Sequence, residues 1–255
     1  MHTTSKSVPS GKIGEGSEVK GIIFDYGGTI DTNGRHWFEV LWEGYRHHGI
    51  DVSKEDFRLA YIHGERTLAR FPLVRPEHNF LDLLRLKTNV QTAFLIDAHL
   101  WGESNEKERL ALSNDVACYC YDYVLHTLER SRPVLQALAQ RYPLVLVSNF
   151  YGNIQAILND FRLDVFQSVV ESAVVGVRKP DPRIFALGVE ALGCTAREVV
   201  VIGDSYSKDI VPAHTLGCHT VWLRGEGWGT EHVDESLPTA IIDDFAELST
   251  LPLLS

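Results

Sequence analysis

Two rhythms of apolar residues run along this chain. From residue 33 to about 126, apolar positions recur at the three- and four-residue spacing of amphipathic helices. GRHWFEVLWEGYRHHGI (34–50) places Trp37, Leu41 and Tyr45 on one stripe and closes on Gly49. SKEDFRLAYIHGERTLAR (53–70) opens with a capping-box pattern from Ser53 to Asp56. Pro72 and Pro76 interrupt the chain, EHNFLDLLRLKTNVQTAFLI resumes the helical period, and NEKERLALSNDVACYCYDYVLH (105–126) predicts a further helix.

After Pro133 the pattern shortens into apolar runs separated by helices. PLVLVSNF, FQSVVES, EVVVIGD and CHTVWL read as strands; NIQAILNDF, DPRIFALGVEAL and KDIVPAHTLG read as the helices between them. TAIIDDFAEL closes with a strand and a helix. One strand of the same kind, GIIF at 21–24, precedes the helical block. Strands that are apolar throughout, alternating with helices, predict a parallel sheet covered on both faces. The fold class is therefore α/β: a Rossmann-like core of residues 19–32 and 127–255, carrying an inserted all-helical cap at 33–126.

Composition narrows the partners. Of 255 residues 44% are hydrophobic, and the formal net charge is −10. No Lys/Arg cluster offers an electrostatic footprint for nucleic acid. Residues 1–18 are small and polar, lack the apolar segment of a signal peptide, and read as a disordered leader. No stretch reaches eighteen consecutive apolar residues, so no membrane span is expected. The four cysteines are too scattered for a disulfide framework, and the expected setting is the reducing cytoplasm. Nothing in the sequence specifies an oligomeric state.

In a sheet of this kind ligands gather beyond the carboxyl ends of the strands. Those ends carry Asp25 after GIIF, Ser148 and Asn149 after LVLV, and Asp204 after VVVIG. Lys179 lies in VGVRKPDPRIF, just before a helix. Two close carboxylates repel unless a cation separates them, and an oxygen-rich site suits Mg²⁺. Mg²⁺ with a lysine makes a seat for an anion, and the chemistry this favours is phosphoryl transfer to Asp25.

These segments resemble the four motifs of the haloacid dehalogenase-like hydrolases, in the subgroup with a helical cap between the first and second motifs. The motifs stand here as Asp25-Tyr26-Gly27-Gly28-Thr29, Ser148-Asn149, Lys179 within RKPDPRIF, and Gly203 to Asp209, GDSYSKD. The resemblance implies that Asp25 is the nucleophile and, with Asp204 and the Gly27 carbonyl, a Mg²⁺ ligand. It implies that Ser148, Asn149 and Lys179 hold the transferring group, that Asp209 supports the metal from behind, and that the substrate is a small phosphorylated metabolite.

One position departs from that pattern. Phosphatases of the family carry a second aspartate two residues after the nucleophile, as general acid and base; here it is Gly27. Three readings follow. A phosphatase can be slow, or borrow a proton carrier from the cap, Asp31 or His36. A different hydrolase can be present: dehalogenases of the family lack the second aspartate, but also lack the Gly203-Asp204 pattern, and phosphonoacetaldehyde hydrolases need a cap lysine, for which Lys54 stands in the right region. A degenerate member can bind a phosphorylated ligand or a partner without turnover. Within the cap, Arg66, Arg70 and Arg75 are candidates for a second anionic group on the substrate, against the alternative of a solvated helix face.

Overall fold

A computed structural model describes residues 18–102, 105–225 and 233–255; the leader expected at 1–18 lies outside these, apart from Glu18. Six strands form one sheet: β1 (Gly21–Phe24), β2 (Leu144–Ser148), β3 (Ser168–Glu171), β4 (Val199–Gly203), β5 (His219–Leu223) and β6 (Ala240–Ile242). Their order is β3-β2-β1-β4-β5-β6, and every neighbouring pair is parallel. The expected Rossmann-like core is present.

The central strand shows why its sequence is apolar throughout. Ile22 and Phe24 join a core with residues of the helical block, whereas Ile23 faces the opposite core with Val145, Val147, Ile184 and Phe185. All three side chains are fully buried, so neither face of β1 tolerates a polar residue. Four helices belong to the inserted block: α1 (Trp37–His47), α2 (Lys54–Arg70), α3 (Phe80–Asp97) and α4 (Glu106–Ala139). Four shorter ones accompany the strands: α5 (Ile154–Asp160), α6 (Ser172–Val175), α7 (Arg183–Leu192) and α8 (Val211–Leu216).

Two local expectations change. Ser53 caps α2 by accepting the Asp56 N–H at 3.1 Å, but among helices α1–α4 a reciprocal capping box is formed by Asn79 and Asp82, at the start of α3. The helix expected to end near residue 126 continues to Ala139 through Pro133. Leu128, Ser131, Leu135 and Leu138 extend its buried stripe, and Pro133 lies on the exposed side, where water can serve the carbonyl that loses its helical donor. Helix α4 is thereby tied to the first core loop: Ser131 Oγ donates to the Ile30 carbonyl at 2.9 Å. Cys120 is buried on α4 and its sulfur meets the Val40 carbonyl at 3.8 Å, the apolar filler role expected of it.

Candidate active site

Strand order brings the two principal carboxylates together. β1 pairs with β4 on one side and β2 on the other, so the direction of winding reverses at β1. Asp25 follows β1 and donates its N–H to the Ile202 carbonyl of β4 at 2.9 Å; Asp204 follows β4 itself. The Thr29 hydroxyl lies between them, 3.2 Å from Asp25 Oδ2 and 3.0 Å from Asp204 Oδ1, and accepts the Asp204 N–H at 3.0 Å. Two glycines make this closeness possible. Gly28 has φ +99°, and a Cβ there would fall 2.5 Å from Asp204 Oδ2; one on Gly203 would fall 2.5 Å from Asp209 Cβ.

Lys179 enters from the loop before α7. Its Nζ is 2.5 Å from Asp25 Oδ1 and 2.7 Å from Asp209 Oδ1. Asn149 holds the lysine's main chain from both ends, accepting its N–H at 2.9 Å and donating to its carbonyl at 3.1 Å. The asparagine expected to touch the transferring group thus spends its amide on positioning Lys179. Ser148 is buried at the end of β2, six residues before the first residue of α5 rather than at a helix N-terminus, and lines the same cavity as Asp25 and Gly27.

Charge in this centre is unbalanced. Asp25, Asp204 and Asp209 each present an oxygen within 4.8 Å of the others, against one ammonium. Burial pushes the Asp25 carboxyl up to about 6, with Asp209 adding to the rise and Lys179 opposing it. Burial and the neighbouring Asp25 and Asp209 raise Asp204 well above the usual carboxylate range. Burial alone would depress Lys179, but Asp209 and Asp25 outweigh it and hold the ammonium above the ordinary lysine value. Three hard oxygen donors and a deficit of positive charge fit a divalent cation of the Mg²⁺ type.

Asp25, Gly27 and Asp204 open into a cavity of about 1060 Å³ whose far wall comes from α2 and α3. A Cβ at Gly27 would meet no atom of the described residues within 4 Å, so a side chain has room there. Of the alternative proton carriers, Asp31 is fully buried, accepts from the Gly28 N–H at 2.7 Å and the Trp37 indole at 3.0 Å, and is not among the cavity-lining residues. Burial pushes its carboxyl up to about 7. His36 does line the cavity; its Nδ1 accepts the Phe38 N–H at 3.1 Å, which places the neutral ring's proton on Nε2. Burial, then Lys208, lowers its pKa to about 4.

In the cap, Arg66 and Arg70 line the cavity and Arg75 does not. Lys54 is also outside it, at the exposed start of α2 and paired with Glu39 at 2.8 Å. The cap lysine that reaches the cavity is Lys87, 2.6 Å from Glu65, whose other oxygen accepts the Tyr151 hydroxyl at 2.7 Å. Lys87 and Glu65 are site residues that sequence reasoning passed over, and Thr29 stood in the first motif without a role. A signal for Lys87 existed: it sits three and four residues from Leu84, Leu83 and Gln91, all buried on one stripe of α3.

The haloacid dehalogenase-like hydrolase family matches residues 19–217, and the chain belongs to that family. A glyceraldehyde 3-phosphate phosphatase of Pyrococcus abyssi is 32% identical over 90 residues, 35% of this chain and 38% of that protein. The haloacid dehalogenase-like hydrolase domain-containing protein 3 of Danio rerio is 35% identical over 104 residues, 40% of this chain and 43% of that protein. The matched stretches span less than half the length of these relatives. The magnesium-bound HAD hydrolase YfnB of Bacillus subtilis superposes with a TM-score of 0.58 at 17% identity, covering 92% of this chain and 98% of that one, a likeness of fold. No helix among the described residues is long and apolar enough to cross a membrane.

Proposed function

We propose that the protein is a Mg²⁺-dependent phosphatase acting on a small phosphorylated metabolite through an aspartyl-phosphate at Asp25. The observation that carries this is the contact of Lys179 Nζ with both Asp25 and Asp209 beside Asp204, an arrangement that neutralises charge around a nucleophilic carboxylate. Asp25, Asp204 and the Gly27 carbonyl would hold the cation, with Asp209 supporting. When bound, it would screen the substrate phosphate from the two carboxylates. The phosphatase names of several relatives agree with this reading.

In the first half-reaction an Asp25 oxygen bonds to phosphorus as the bond to the ester oxygen breaks. Lys179 and the Ser148 hydroxyl hold the phosphoryl oxygens, and Asn149 keeps the lysine in place. The departing oxygen takes a proton unless it is already a stable anion. In the second, water attacks the aspartyl-phosphate and returns Asp25 with inorganic phosphate. Both proton movements belong to the side chain that Gly27 lacks, a contribution of roughly 10²- to 10⁴-fold. Activated esters should therefore react and alkyl esters lag.

The phosphonoacetaldehyde reading requires a neutral amine in the cap. Lys54 is directed elsewhere, and Lys87 is held as an ammonium: burial would lower its pKa, but Glu65 raises it above the ordinary value. A panel of aryl phosphates, acyl phosphates, alkyl phosphates and phosphonates, assayed with and without Mg²⁺, tests the assignment. Mg²⁺-dependent release of phosphate from the activated esters is expected; release from phosphonoacetaldehyde alone would replace it.

A further inference from the structure

The cavity is larger than a phosphoryl group needs: about 1060 Å³, just above the ~300–1,000 Å³ common for small-molecule sites. Its far wall is mostly apolar, with Tyr61, Phe80, Leu83 and Leu84, yet an ion pair is set into it. Lys87 is only 8% exposed and meets Glu65 at 2.6 Å; the Glu65 side chain retains 35% of its surface. Tyr151 supports the pair from the loop after β2, donating its hydroxyl to Glu65 and placing its ring 5.6 Å from Lys87 Nζ. An ion pair with one member buried and the other part-buried costs desolvation that a pair of apolar residues would avoid. What it offers in return is a donor and an acceptor side by side, on the wall of the cavity that Asp25 enters.

We propose that Glu65 and Lys87 select phosphate esters whose leaving group ends in a polar group of no net charge, zwitterionic or uncharged. This rests on the phosphatase reading and names the substrate class of the same site. Arg66 and Arg70 also line the cavity but are exposed to solvent, so the charges that a ligand end meets at this wall are those of the pair, which cancel. A single charge is attracted by one member and repelled by the other, while losing its own hydration. A zwitterion gives each member an opposite charge. A hydroxyl or amide can accept from the Lys87 ammonium, which has three N–H groups, and donate to the carboxylate.

Four phosphonates test this on the unaltered protein, because their C–P bonds are not the ester bonds a phosphatase cleaves. They end in a hydroxyl (3-hydroxypropylphosphonate), a zwitterion (2-amino-4-phosphonobutyrate), a carboxylate (3-phosphonopropionate) and an ammonium (3-aminopropylphosphonate). With Mg²⁺ present, calorimetry should give the first two affinities at least about tenfold above the last two, and the stronger of the first two identifies the kind of neutral end. Glu65→Gln should then shift preference toward the carboxylate, and Lys87→Met toward the ammonium. These are ratios within one preparation, so they do not depend on how much of a variant is folded. Equal affinities across the series, no binding of any member, or identical ranking in both variants would overturn the proposal. If neither variant folds, the ranking by the unaltered protein decides. Hydrolysis of p-nitrophenyl phosphate is measured separately: its absence, with the ranking intact, discards the phosphatase reading and keeps the selectivity.

Discussion

Thr29 and Asp204, 175 residues apart, exchange two hydrogen bonds: the Thr29 hydroxyl donates to Asp204 Oδ1 at 3.0 Å and accepts the Asp204 N–H at 3.0 Å. The same hydroxyl is 3.2 Å from Asp25 Oδ2, so it sits where the buried Asp25 and the part-buried Asp204 carboxylates would otherwise face each other unaided. Thr29→Val keeps the shape and removes the bridge. A hydrogen bond to a charged group contributes about 1.5–3 kcal/mol, so Mg²⁺ affinity should fall by at least about tenfold. Calorimetric titration returning the original affinity would mean that the bridge does not seat the carboxylates.

Asp204→Asn separates the cost of this part-buried charge from its use. Burial and two neighbouring carboxylates disfavour ionised Asp204, so the amide should raise the melting temperature measured in chelator. In excess Mg²⁺ the order should reverse, since the cation stabilises the unaltered protein by binding its folded form. Melting curves of both proteins under both conditions check this; a variant with an undiminished Mg²⁺ shift contradicts the assignment of Asp204 as a ligand.

Lys179→Ala removes the ammonium shared by Asp25 and Asp209, both nearly fully buried. Breaking a buried pair by deleting one partner costs about 3–5 kcal/mol, so a clear loss of thermal stability is expected. Inhibition by orthovanadate should disappear in whatever fraction remains folded. Inhibition surviving at the same concentration would place the anion elsewhere.

The core and the centre of the site were legible because strand ends and motif spacing are local features of sequence. Asp25 and Asp204 each follow an apolar run that fixes where the side chain emerges, whereas Lys179 lies in a loop and was legible through the motif RKPDPRIF. Asn149 was legible as a neighbour of the site but not in its role, since whether an amide faces ligand or main chain depends on the loop opposite. Glu65 and Lys87 lie on different helices, and helical period alone does not say which face of α2 meets which face of α3. The end of α4 was hidden by Pro133, whose cost to a helix depends on its exposure.

His36 supplies a pH dependence. Its folded pKa, about 4, lies below the ordinary imidazole value of about 6.5, chiefly through burial. As pH falls from about 6.5 to about 4 the unfolded chain takes up the proton first, so stability declines over that window and recovers as pH rises. The effect should amount to about 1–3 kcal/mol for this part-buried ring. His36→Asn can still accept the Phe38 N–H and does not titrate there. Urea unfolding at pH 4.5 and 7 should show a smaller loss in the variant; an equal loss would move the dependence to other groups.

Pre-steady-state hydrolysis of p-nitrophenyl phosphate by the unaltered protein and by Gly27→Asp bears most directly on Asp25 as a nucleophile working without its usual proton carrier. A Cβ at Gly27 meets nothing within 4 Å among the described residues, so the substitution has room. The unaltered protein should release about one equivalent of p-nitrophenolate in a burst and then turn over slowly, while Gly27→Asp should raise the steady rate at least about tenfold, the low side of a general-base contribution. Absence of a burst, together with an unchanged steady rate in a Gly27→Asp protein that folds and binds Mg²⁺, would contradict it.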